Sequence, residues 1–557
     1  MSPHPAVIER LGRLSPDQLA AATAPPGPVL CVAPAGSGKT TTLVARVAWR
    51  IDGGTPPDRI CVLTFNRRAA DELRVRLGEA LAPLGIGPDA VRVRTFHALG
   101  REVLAEAGEP VDRLLDRAAL LAELAGHPLP AAALRRLDDA FSRLKLDAGV
   151  GVEEVERQLE ADRPAEAPRS PTLEAFVRYE RALHTRGALD FDDLVRRALD
   201  RLEDDAGLLA RWRERCAAVF VDETQDVDRA QLRLALLLAE PGRDVFLVGD
   251  DDQTIYAWRL ADVRRILGLA AALPGLRRVD LVVNRRCPAP VVARATRLVE
   301  HNAERFAKRI LPRPDAIGQL ILAPDPSDDV ARARRLLTTW APALRAPDAS
   351  THAVLARTNA ELAPYAAAAL ELGLPYRAET DGLDLLDDPA SDRLLAQAEA
   401  GAGPPPAALG HLQHTVTRAE RPVLGALLGW SPAYASISAL RAGIASAREA
   451  RSRLRRDDAP LLLATVHSTK GLEFDVVACV GLDEGRFPSA RSLADADDPA
   501  RALEEERRLA YVAWTRARRS LLLVFDPGAP SPFLHEAFDP SELARAWSAR
   551  PRSARPP

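Results

Sequence analysis

Short apolar runs alternate with segments of helical periodicity along most of the chain. The apolar runs predict strands at 28–34, 59–65, 217–223, 244–250, 277–284, 352–357, 461–466, 475–482 and 520–525. After the first run, Leu43, Val44, Val47, Ala48 and Ile51 recur at helical spacing, which predicts a helix packed on a sheet. This alternation is typical of an α/β fold with parallel sheets flanked by helices.

Two segments interrupt the alternation and divide the chain into domains. Residues 99–188 and 380–457 are rich in helix-forming residues and predict two mainly helical insertions. The first α/β domain then comprises 1–98 and 189–280, and the second comprises 281–379 and 458–540. The last stretch, 541–557, ends in RPRSARPP and is predicted to be disordered.

Composition narrows the class of protein. The 557 residues, of which 47% are hydrophobic, suffice for two to four domains. A formal net charge of −3 shows no overall preference for nucleic acid, so any such site is a local groove. The five isolated cysteines argue against a disulfide framework or a zinc site. No apolar run reaches membrane-spanning length, and we expect a cytoplasmic protein.

Lysine is rare in this chain. Only Lys39, Lys145, Lys308 and Lys470 are lysines among the 75 basic residues, a bias that suggests a GC-rich bacterial genome. Each lysine that remains is therefore informative, because an ammonium and a guanidinium are not interchangeable at a specific site.

The segment 33–40, APAGSGKT, joins a predicted strand to a predicted helix, which is the context of a phosphate-binding loop. Its glycines allow backbone N–H groups to enclose phosphate oxygens, and the helix N-terminus adds partial positive charge. Lys39 is expected to reach the β- and γ-phosphates and Thr40 to bind Mg²⁺. The ATP-binding residues proposed here are Ala35, Gly36, Ser37, Gly38, Lys39, Thr40 and Thr41. A chance Gly/Ser-rich turn is the alternative.

A second motif, VFVDETQD at 219–226, places two adjacent carboxylates after an apolar strand. Asp222 is expected to hold Mg²⁺, and Glu223 is expected to polarise the attacking water. An acidic pair alone is usually a solvated turn, but here it follows a strand that reads as buried. Together the two motifs indicate ATP hydrolysis.

With these residues identified, the chain resembles the UvrD/Rep/PcrA group of superfamily-one helicases over roughly 14–535. That family has two RecA-like domains. The matching segments occur in family order: LSPDQ (14–18), LTFN (63–66), TFH (95–97), LDFDDL (189–194), GDDDQTIYAWR (249–259), AVLARTN (353–359), TVHSTKGLEF (465–474) and EERRLAYVAWTRA (505–517).

The resemblance implies roles in the ATP site. Gln18 would read the adenine edge, and Glu473 would contact the ribose. Gln253 would sense the γ-phosphate. Arg286 and Arg516, from the second domain, would act as arginine fingers, an effect worth ~10³–10⁵ in rate. The adenine-stacking tyrosine of the family is replaced by Arg285, and Thr41 stands where relatives carry an arginine, so base selectivity stays open.

The resemblance also implies a track for single-stranded DNA. Trp258, Tyr256 and Phe65 would stack on bases, a contact worth ~1–3 kcal/mol per base without sequence preference. Core packing is the alternative for these aromatics. His97 and His467 would contact phosphates or serve as buried structural residues. The remaining expected DNA contacts are Asn66, Thr95, Arg259, Arg357 and Asn359.

Two departures from the family concern duplex unwinding. The second insertion is about half as long as that of full-length relatives, where it is mobile. After Arg516 only a Pro/Gly turn stands where relatives place an aromatic-tipped hairpin. The expected function is an ATP- and Mg²⁺-dependent 3′–5′ DNA translocase or helicase in DNA repair or recombination. The alternatives are a motor subunit for a partner nuclease or defence complex, and an ATP-switched DNA clamp.

Overall fold

The computed structural model describes residues 3–161, 170–380, 388–401, 403–417 and 420–548. The chain divides into two compact units. Unit 1 comprises 1–282 together with the short segment 304–309, and unit 2 comprises 283–303 and 310–557. Each unit is built around a six-stranded parallel sheet.

The sheet of unit 1 has the strand order β3-β2-β4-β5-β1-β6. Its strands are β1 (Val29–Val32), β2 (Ile60–Thr64), β3 (Arg92–Thr95), β4 (Ala218–Val221), β5 (Val245–Gly249) and β6 (Arg277–Asp280), and all pair in parallel. Successive side chains of a strand point to opposite faces, so Leu30 and Val32 enter one hydrophobic core and Val29 and Cys31 enter the other. Helices cover both faces.

The helices of unit 1 include those of the first insertion. They are α1 (Pro5–Gly12), α2 (Pro16–Ala22), α3 (Lys39–Asp52), α4 (Arg67–Leu81), α5 (Phe96–Glu106), α6 (Arg117–Ala125), α7 (Ala131–Ser142), α8 (Val152–Ala161), α9 (Pro171–Thr185), α10 (Asp193–Asp204), α11 (Ala206–Arg215), α12 (Arg229–Ala239), α13 (Val263–Leu267) and α14 (Leu269–Ala272). Residues 99–106 continue α5, whose apolar face packs in the core beneath the sheet.

The main sheet of unit 2 has the order β11-β12-β10-β13-β14-β9, and β7 pairs with β8 beside it. The strands are β7 (Val283–Asn284), β8 (Leu311–Pro312), β9 (Gln319–Pro324), β10 (His352–Ala356), β11 (Tyr376–Arg377), β12 (Leu461–Thr465), β13 (Phe474–Cys479) and β14 (Ala517–Phe525). The helices are α15 (Ala289–Val299), α16 (Asp329–Leu344), α17 (Ala363–Glu371), α18 (Pro389–Glu399), α19 (Pro405–Gly410), α20 (Arg421–Trp430), α21 (Ile437–Leu454), α22 (Ala490–Ala494), α23 (Pro499–Trp514), α24 (Pro532–Ala537) and α25 (Pro540–Ser548).

The two insertions are packed differently. Helices α6–α9 surround a separate hydrophobic core that includes Leu120, Phe141 and Phe176. Helices α18–α21 have no such separate core among the residues that the structure describes. Their Leu394 and Leu427 belong to the same core as Leu337 of α16 and Leu461 of β12.

The predicted parallel α/β fold is confirmed, and each of the nine predicted strands overlaps an observed one. Strands β3, β8, β9 and β11 were not predicted. Strands β8 and β11 have only two residues each, and β3 and β9 lie at sheet edges with partly buried sequences, RVRT and QLILAP. The predicted strand 277–284 is divided into β6 and β7.

The prediction of a disordered tail is wrong for its first part. Residues 541–548 belong to α25, which is anchored by the buried Leu543. Residues 549–557 lie outside the described residues, as do 162–169 of the first predicted insertion and 381–387, 402, 418 and 419 of the second. No helix within the described ranges is long and apolar enough to cross a membrane.

Candidate nucleotide and DNA sites

The predicted phosphate loop links β1 to α3, and its backbone requires glycine. Gly36 and Gly38 have φ values of 68° and 88°, in the left-handed region that disfavours a side chain. A Cβ on Gly38 would also lie 2.5 Å from Gln18 Nε2. Because α3 begins at Lys39, its unpaired N–H groups point towards the loop, as anion binding requires.

Lys39 lies close to the predicted catalytic carboxylate. Its Nζ is 3.5 Å from the Ala33 carbonyl oxygen and 3.9 Å from Glu223 Oε1. Glu223 follows β4 and adopts a left-handed φ of 51°, a conformation that a non-glycine residue rarely adopts. Gln225 Nε2 donates to Glu223 Oε2 at 2.5 Å. The carboxylate is thus fixed beside the phosphate loop.

The neighbouring Asp222 is suited to a cation. Its side chain is buried, and burial together with the adjacent Glu223 raises the pKa of Asp222 to about 7, although Lys39 acts in the opposite direction. A buried carboxylate in this state is stabilised by a divalent ion. The carboxylate of Asp222 and the hydroxyl of Thr40 are the hard oxygen donors that Mg²⁺ prefers, so the residues fit the ion.

Gln253 belongs to a hydrogen-bond network that reaches Glu223. Its Nε2 donates to Asp250 Oδ2 at 2.7 Å, and the Asp250 N–H donates to Gln225 Oε1 at 2.9 Å. Gln225 in turn binds Glu223. The predicted γ-phosphate sensor and the predicted catalytic carboxylate are therefore held in a common arrangement, through two residues to which the sequence had assigned no role.

Gln18 is buried against the phosphate loop. Its Nε2 donates to the Ser37 carbonyl oxygen at 2.8 Å, and its Oε1 accepts from the Ser15 N–H at 3.1 Å. Both ends of the carboxamide are engaged in this way. The structure thus places Gln18 beside the phosphate loop, and its contact with the adenine edge stays a prediction. Thr41 is exposed on α3.

The three predicted stacking residues of unit 1 lie together. The rings of Phe65 and Tyr256 stack with centroids 5.5 Å apart, and Trp258 meets Tyr256 edge-on at 6.1 Å. Trp258 is 54% exposed, and the Arg259 guanidinium lies 4.6 Å from its ring centroid. Trp258 therefore does not belong to the core, whereas Phe65 and Tyr256 are half-buried beneath it.

A further aromatic was missed by the sequence reasoning. Phe191 is 60% exposed and stacks on His97 with ring centroids 4.0 Å apart. The sequence offered one signal for Phe191, which is an aromatic residue within the acidic run LDFDDL. Its neighbours in sequence are aspartates, a residue type that does not favour a core position. Burial, aided by Arg259, lowers the pKa of His97 to about 4 despite the nearby Asp192, so the imidazole is neutral at pH 7.

Two other predicted DNA contacts, Asn66 and Thr95, cap helices in this structure. Asn66 Oδ1 accepts from the Ala69 N–H at 2.9 Å and caps α4, and Thr95 Oγ1 accepts from the Ala98 N–H at 3.2 Å and caps α5. Thr95 is the last residue of β3 and Asn66 lies two residues after β2, so both lie at the carboxyl edge of the sheet, where Glu223 and Asp250 also lie. This edge is where open α/β sheets bind their ligands.

In unit 2, the predicted arginine fingers lie beside the predicted ribose contact. Arg286 Nε donates to Glu473 Oε2 at 2.8 Å, and its Nη1 donates to the Thr515 carbonyl oxygen at 3.1 Å. Arg516 is buried and donates to the Leu472 carbonyl oxygen at 3.1 Å. Burial alone would raise the pKa of Glu473, but Arg286 and neighbouring Arg518 hold it below its usual range. Arg285 is exposed.

The predicted DNA contacts of unit 2 are more dispersed. The Arg357 guanidinium binds the Glu506 carboxylate at 2.7 and 2.9 Å, so an internal ion pair already engages it. Asn359 is exposed beyond β10. His467 follows β12, and burial, aided by Arg357, lowers its pKa to about 4. Lys470 and Glu473 follow in the same loop.

A glycine-rich loop between a parallel strand and a helix, with an acidic pair after a nearby strand, defines unit 1 as a P-loop NTPase. Residues 14–274 match the family described as UvrD/REP helicase N-terminal domain, and residues 441–526 match the UvrD-like helicase C-terminal domain. The chain belongs to this family of DNA helicases, whose domains have RecA-like folds, and it is an ATP-dependent enzyme that binds DNA.

Individual relatives are similar over most of their length. ATP-dependent DNA helicase UvrD2 of Mycobacterium tuberculosis is 30% identical over 556 residues, which cover 92% of this chain and 78% of the relative. DNA helicase II of Escherichia coli is 28% identical, covering 92% and 84%. ATP-dependent DNA helicase PcrA of Leuconostoc citreum is 26% identical, covering 89% and 80%.

Proposed function

We propose that this helicase is a translocase that moves 3′ to 5′ along single-stranded DNA in the cytoplasm and serves DNA repair or recombination. One observation carries the proposal. The loop 250–259 holds Gln253 in the hydrogen-bond network of Glu223, and a few residues later it presents Tyr256 and the exposed Trp258. A change at the γ-phosphate is therefore transmitted to the aromatic track within a single short loop.

In the proposed cycle, the N–H groups of the phosphate loop and the Lys39 ammonium hold the triphosphate. Glu223 accepts a proton from the attacking water while Gln225 keeps the carboxylate in place. Thr40 and Asp222 would hold Mg²⁺, which would supply neutralisation of the phosphate charge. Gln253 detects the γ-phosphate and shifts the loop when the phosphate leaves.

Arg286 and Arg516 complete the proposed chemistry from unit 2. Both present planar donors that already bind oxygen acceptors, Glu473 and the Leu472 carbonyl, in this structure. Exchange of those acceptors for phosphate oxygens would place positive charge where negative charge develops.

Steady-state ATP hydrolysis with and without single-stranded DNA tests the proposal. We expect strong stimulation by DNA in the wild type. Glu223→Gln should retain ATP binding and lose turnover, because the amide preserves the shape but cannot accept the proton. Lys39→Ala should lose productive binding itself. DNA-independent hydrolysis, or turnover in Glu223→Gln near the wild-type rate, would contradict the assignment.

The aromatic track has its own test. Trp258→Ala should weaken single-stranded DNA binding by ~1–3 kcal/mol, as expected for the loss of one stacked base. Affinity should depend little on sequence and fall as salt rises, because phosphate contacts release counterions. When DNA binding is followed by tryptophan fluorescence, Trp212 serves as the control residue, because it is buried in the core. Unchanged affinity in a folded Trp258→Ala protein would exclude the stacking role.

A second candidate, a motor subunit for a partner nuclease or repair complex, is favoured by the region after Arg516. Strand β14 ends at Phe525, and the turn 526–531 leads directly to α24, without an intervening hairpin in this described stretch. Relatives use a hairpin there to separate strands, according to the resemblance. A partner would supply that wedge.

The two candidates differ in unwinding by the purified chain. Both predict displacement of streptavidin from end-labelled single strands. Only the independent helicase predicts processive unwinding of a long duplex with a 3′ tail, whereas the subunit requires a partner for it. Processive unwinding by the chain alone would eliminate the subunit candidate.

A further inference from the structure

The segment 304–309 packs with unit 1, although the chain on either side of it belongs to unit 2. It supplies two cations to the three consecutive aspartates that precede Gln253. The Lys308 Nζ lies 2.7 Å from Asp250 Oδ1 and 2.9 Å from Asp252 Oδ2, and it also binds Asp251. Its side chain is 1% exposed and the three carboxylates are fully buried.

Arg305 and the backbone complete the cluster. Arg305 binds Asp252 through two hydrogen bonds of 3.1 and 2.8 Å, and the Phe306 N–H donates to Asp251 Oδ2 at 2.8 Å. Burial raises the pKa of Asp251 to about 6. Burial would also raise the pKa of Asp252, but Lys308 and Arg305 hold it below its usual range.

Asp250 connects this cluster to the reaction. One carboxylate oxygen, Oδ1, accepts from Lys308, and the other, Oδ2, accepts from Gln253 Nε2. The Asp250 N–H donates to Gln225, which holds Glu223. An unbroken series of hydrogen bonds thus runs from the Lys308 ammonium to both the proposed γ-phosphate sensor and the proposed catalytic carboxylate.

We propose that Lys308 is a positioning residue for ATP hydrolysis, which fixes Asp250 and thereby orients Gln253 and Glu223. The inference rests on the proposed function, because it assumes that these two side chains act on ATP. Lys308 itself does not touch the nucleotide. Its loss should therefore reduce the rate of hydrolysis and spare nucleotide binding, which depends on the phosphate loop.

A charge-matched pair of double variants tests this proposal. Lys308→Met with Asp251→Asn removes one cation and one carboxylate and leaves Asp250 without its ammonium. Arg305→Met with Asp252→Asn removes the other cation and its partner but keeps the Lys308–Asp250 bond. Both variants remove one cation and one carboxylate from the same buried cluster, and thermal unfolding measures the loss of stability in each.

The first variant should lose about 10²-fold in kcat, the size expected when a reacting group is misplaced by about 1 Å. Its KM for ATP and its affinity for ATPγS should stay close to the wild-type values. The second variant should keep a kcat close to the wild-type value. Equal kcat values in the two variants, once corrected for the folded fraction from ATPγS titration, would overturn the proposal.

If the first variant does not fold, Asp250→Asn provides the test. It keeps Asp251 and Asp252 for Lys308, but its amide nitrogen replaces one of the two carboxylate oxygens, so either Lys308 or Gln253 would face a donor instead of an acceptor. A normal kcat in Asp250→Asn would overturn the proposal, and a loss in kcat alone would support it. Wild-type protein without DNA-stimulated hydrolysis would instead contradict the proposed function, so the two failures are distinguishable.

Discussion

The two helical insertions are attached to their units by different physical means. The first insertion has its own hydrophobic core and meets unit 1 mainly through buried charges, with Leu146 also reaching the core of unit 1. Lys145 binds Asp190 and Asp193 at 2.9 and 2.8 Å, and Arg117 binds Asp190 and Asp192 at 2.7 and 2.6 Å. The second insertion is attached by apolar packing, since it shares one core with the sheet of unit 2.

This comparison explains the LDFDDL marker. Its three aspartates bind the cations of the first insertion. Burial alone would lower the pKa of Lys145, but Asp190, Asp193 and Glu180 together raise that pKa above its ordinary value. A joint of directional ion pairs permits the insertion to be a distinct body. A shared apolar core does not permit this, because its side chains are closely packed with those of the sheet. We therefore expect the second insertion to move together with unit 2, unlike the mobile domain expected in longer relatives.

The largest effect is expected at the polar joint. Lys145→Met should cost about 3–5 kcal/mol, because it leaves several buried carboxylates without their cation. Hydrogen exchange measured by mass spectrometry should accelerate in the peptides of 117–185, and ATP binding at the phosphate loop should persist. Arg186→Met, which removes an exposed pair with Glu123 in the same insertion, should change little. Uniform acceleration across unit 1 in Lys145→Met would refute a separate insertion.

The apolar joint should respond differently. Leu427→Ala should cost about 2–5 kcal/mol through lost burial and the cavity that remains. Because Leu427 shares a core with Leu337 and Leu461, exchange should accelerate in α16 and β12 as well as in 389–454. Leu428→Ala, at a half-buried neighbouring position, is the control. Acceleration confined to the insertion helices would show that the two parts of unit 2 unfold independently.

The smallest expected effect is a loss of folding stability at acidic pH. The pKa values of His97 and His467 are about 4 in the folded chain, against an ordinary value of 6.5, so the unfolded chain binds more protons between these values. Stability should therefore be present above pH 6.5 and be lost as pH falls towards 4. His97→Gln should reduce this loss in unit 1, next to Asp192 of the polar joint, and His467→Gln should reduce it in unit 2. Denaturant melts between pH 4 and 7 measure both slopes.

Local sequence signals predicted much of the fold and the centre of the ATP site. Apolar runs located the strands, because strands buried on both faces are continuously hydrophobic. Contacts between distant residues were not predictable in this way. The pair of Arg357 with Glu506 joins positions 149 residues apart, and it changes the interpretation of an arginine that the motif alone assigned to DNA. The attachment of the second insertion likewise depends on a core assembled from helices α16–α21 and strands β10–β14, which are distant in sequence.

The hydrogen-bond network around Glu223 is a second feature that the sequence did not predict. The motif GDDDQ indicated Gln253, but the role of Asp250 depends on Gln225 and Lys308, which lie on different segments. The rarity of lysine was the available signal for Lys308. That signal could not be interpreted without the fold, because the rarity of a residue does not show which side chains it contacts.

The same rarity has a practical consequence for protein chemistry. None of the four lysine side chains is exposed, since Lys39 and Lys470 are half-buried and Lys145 and Lys308 are enclosed by carboxylates. Amine-directed acylation, whether by a labelling ester or an acetyl donor, therefore meets no exposed lysine. Apart from the α-amino group, the half-buried Lys39 amine beside the phosphate loop becomes a principal target, so such reagents should act as inhibitors that ATP blocks. Attachment through a surface lysine or thiol requires an engineered residue or a tag.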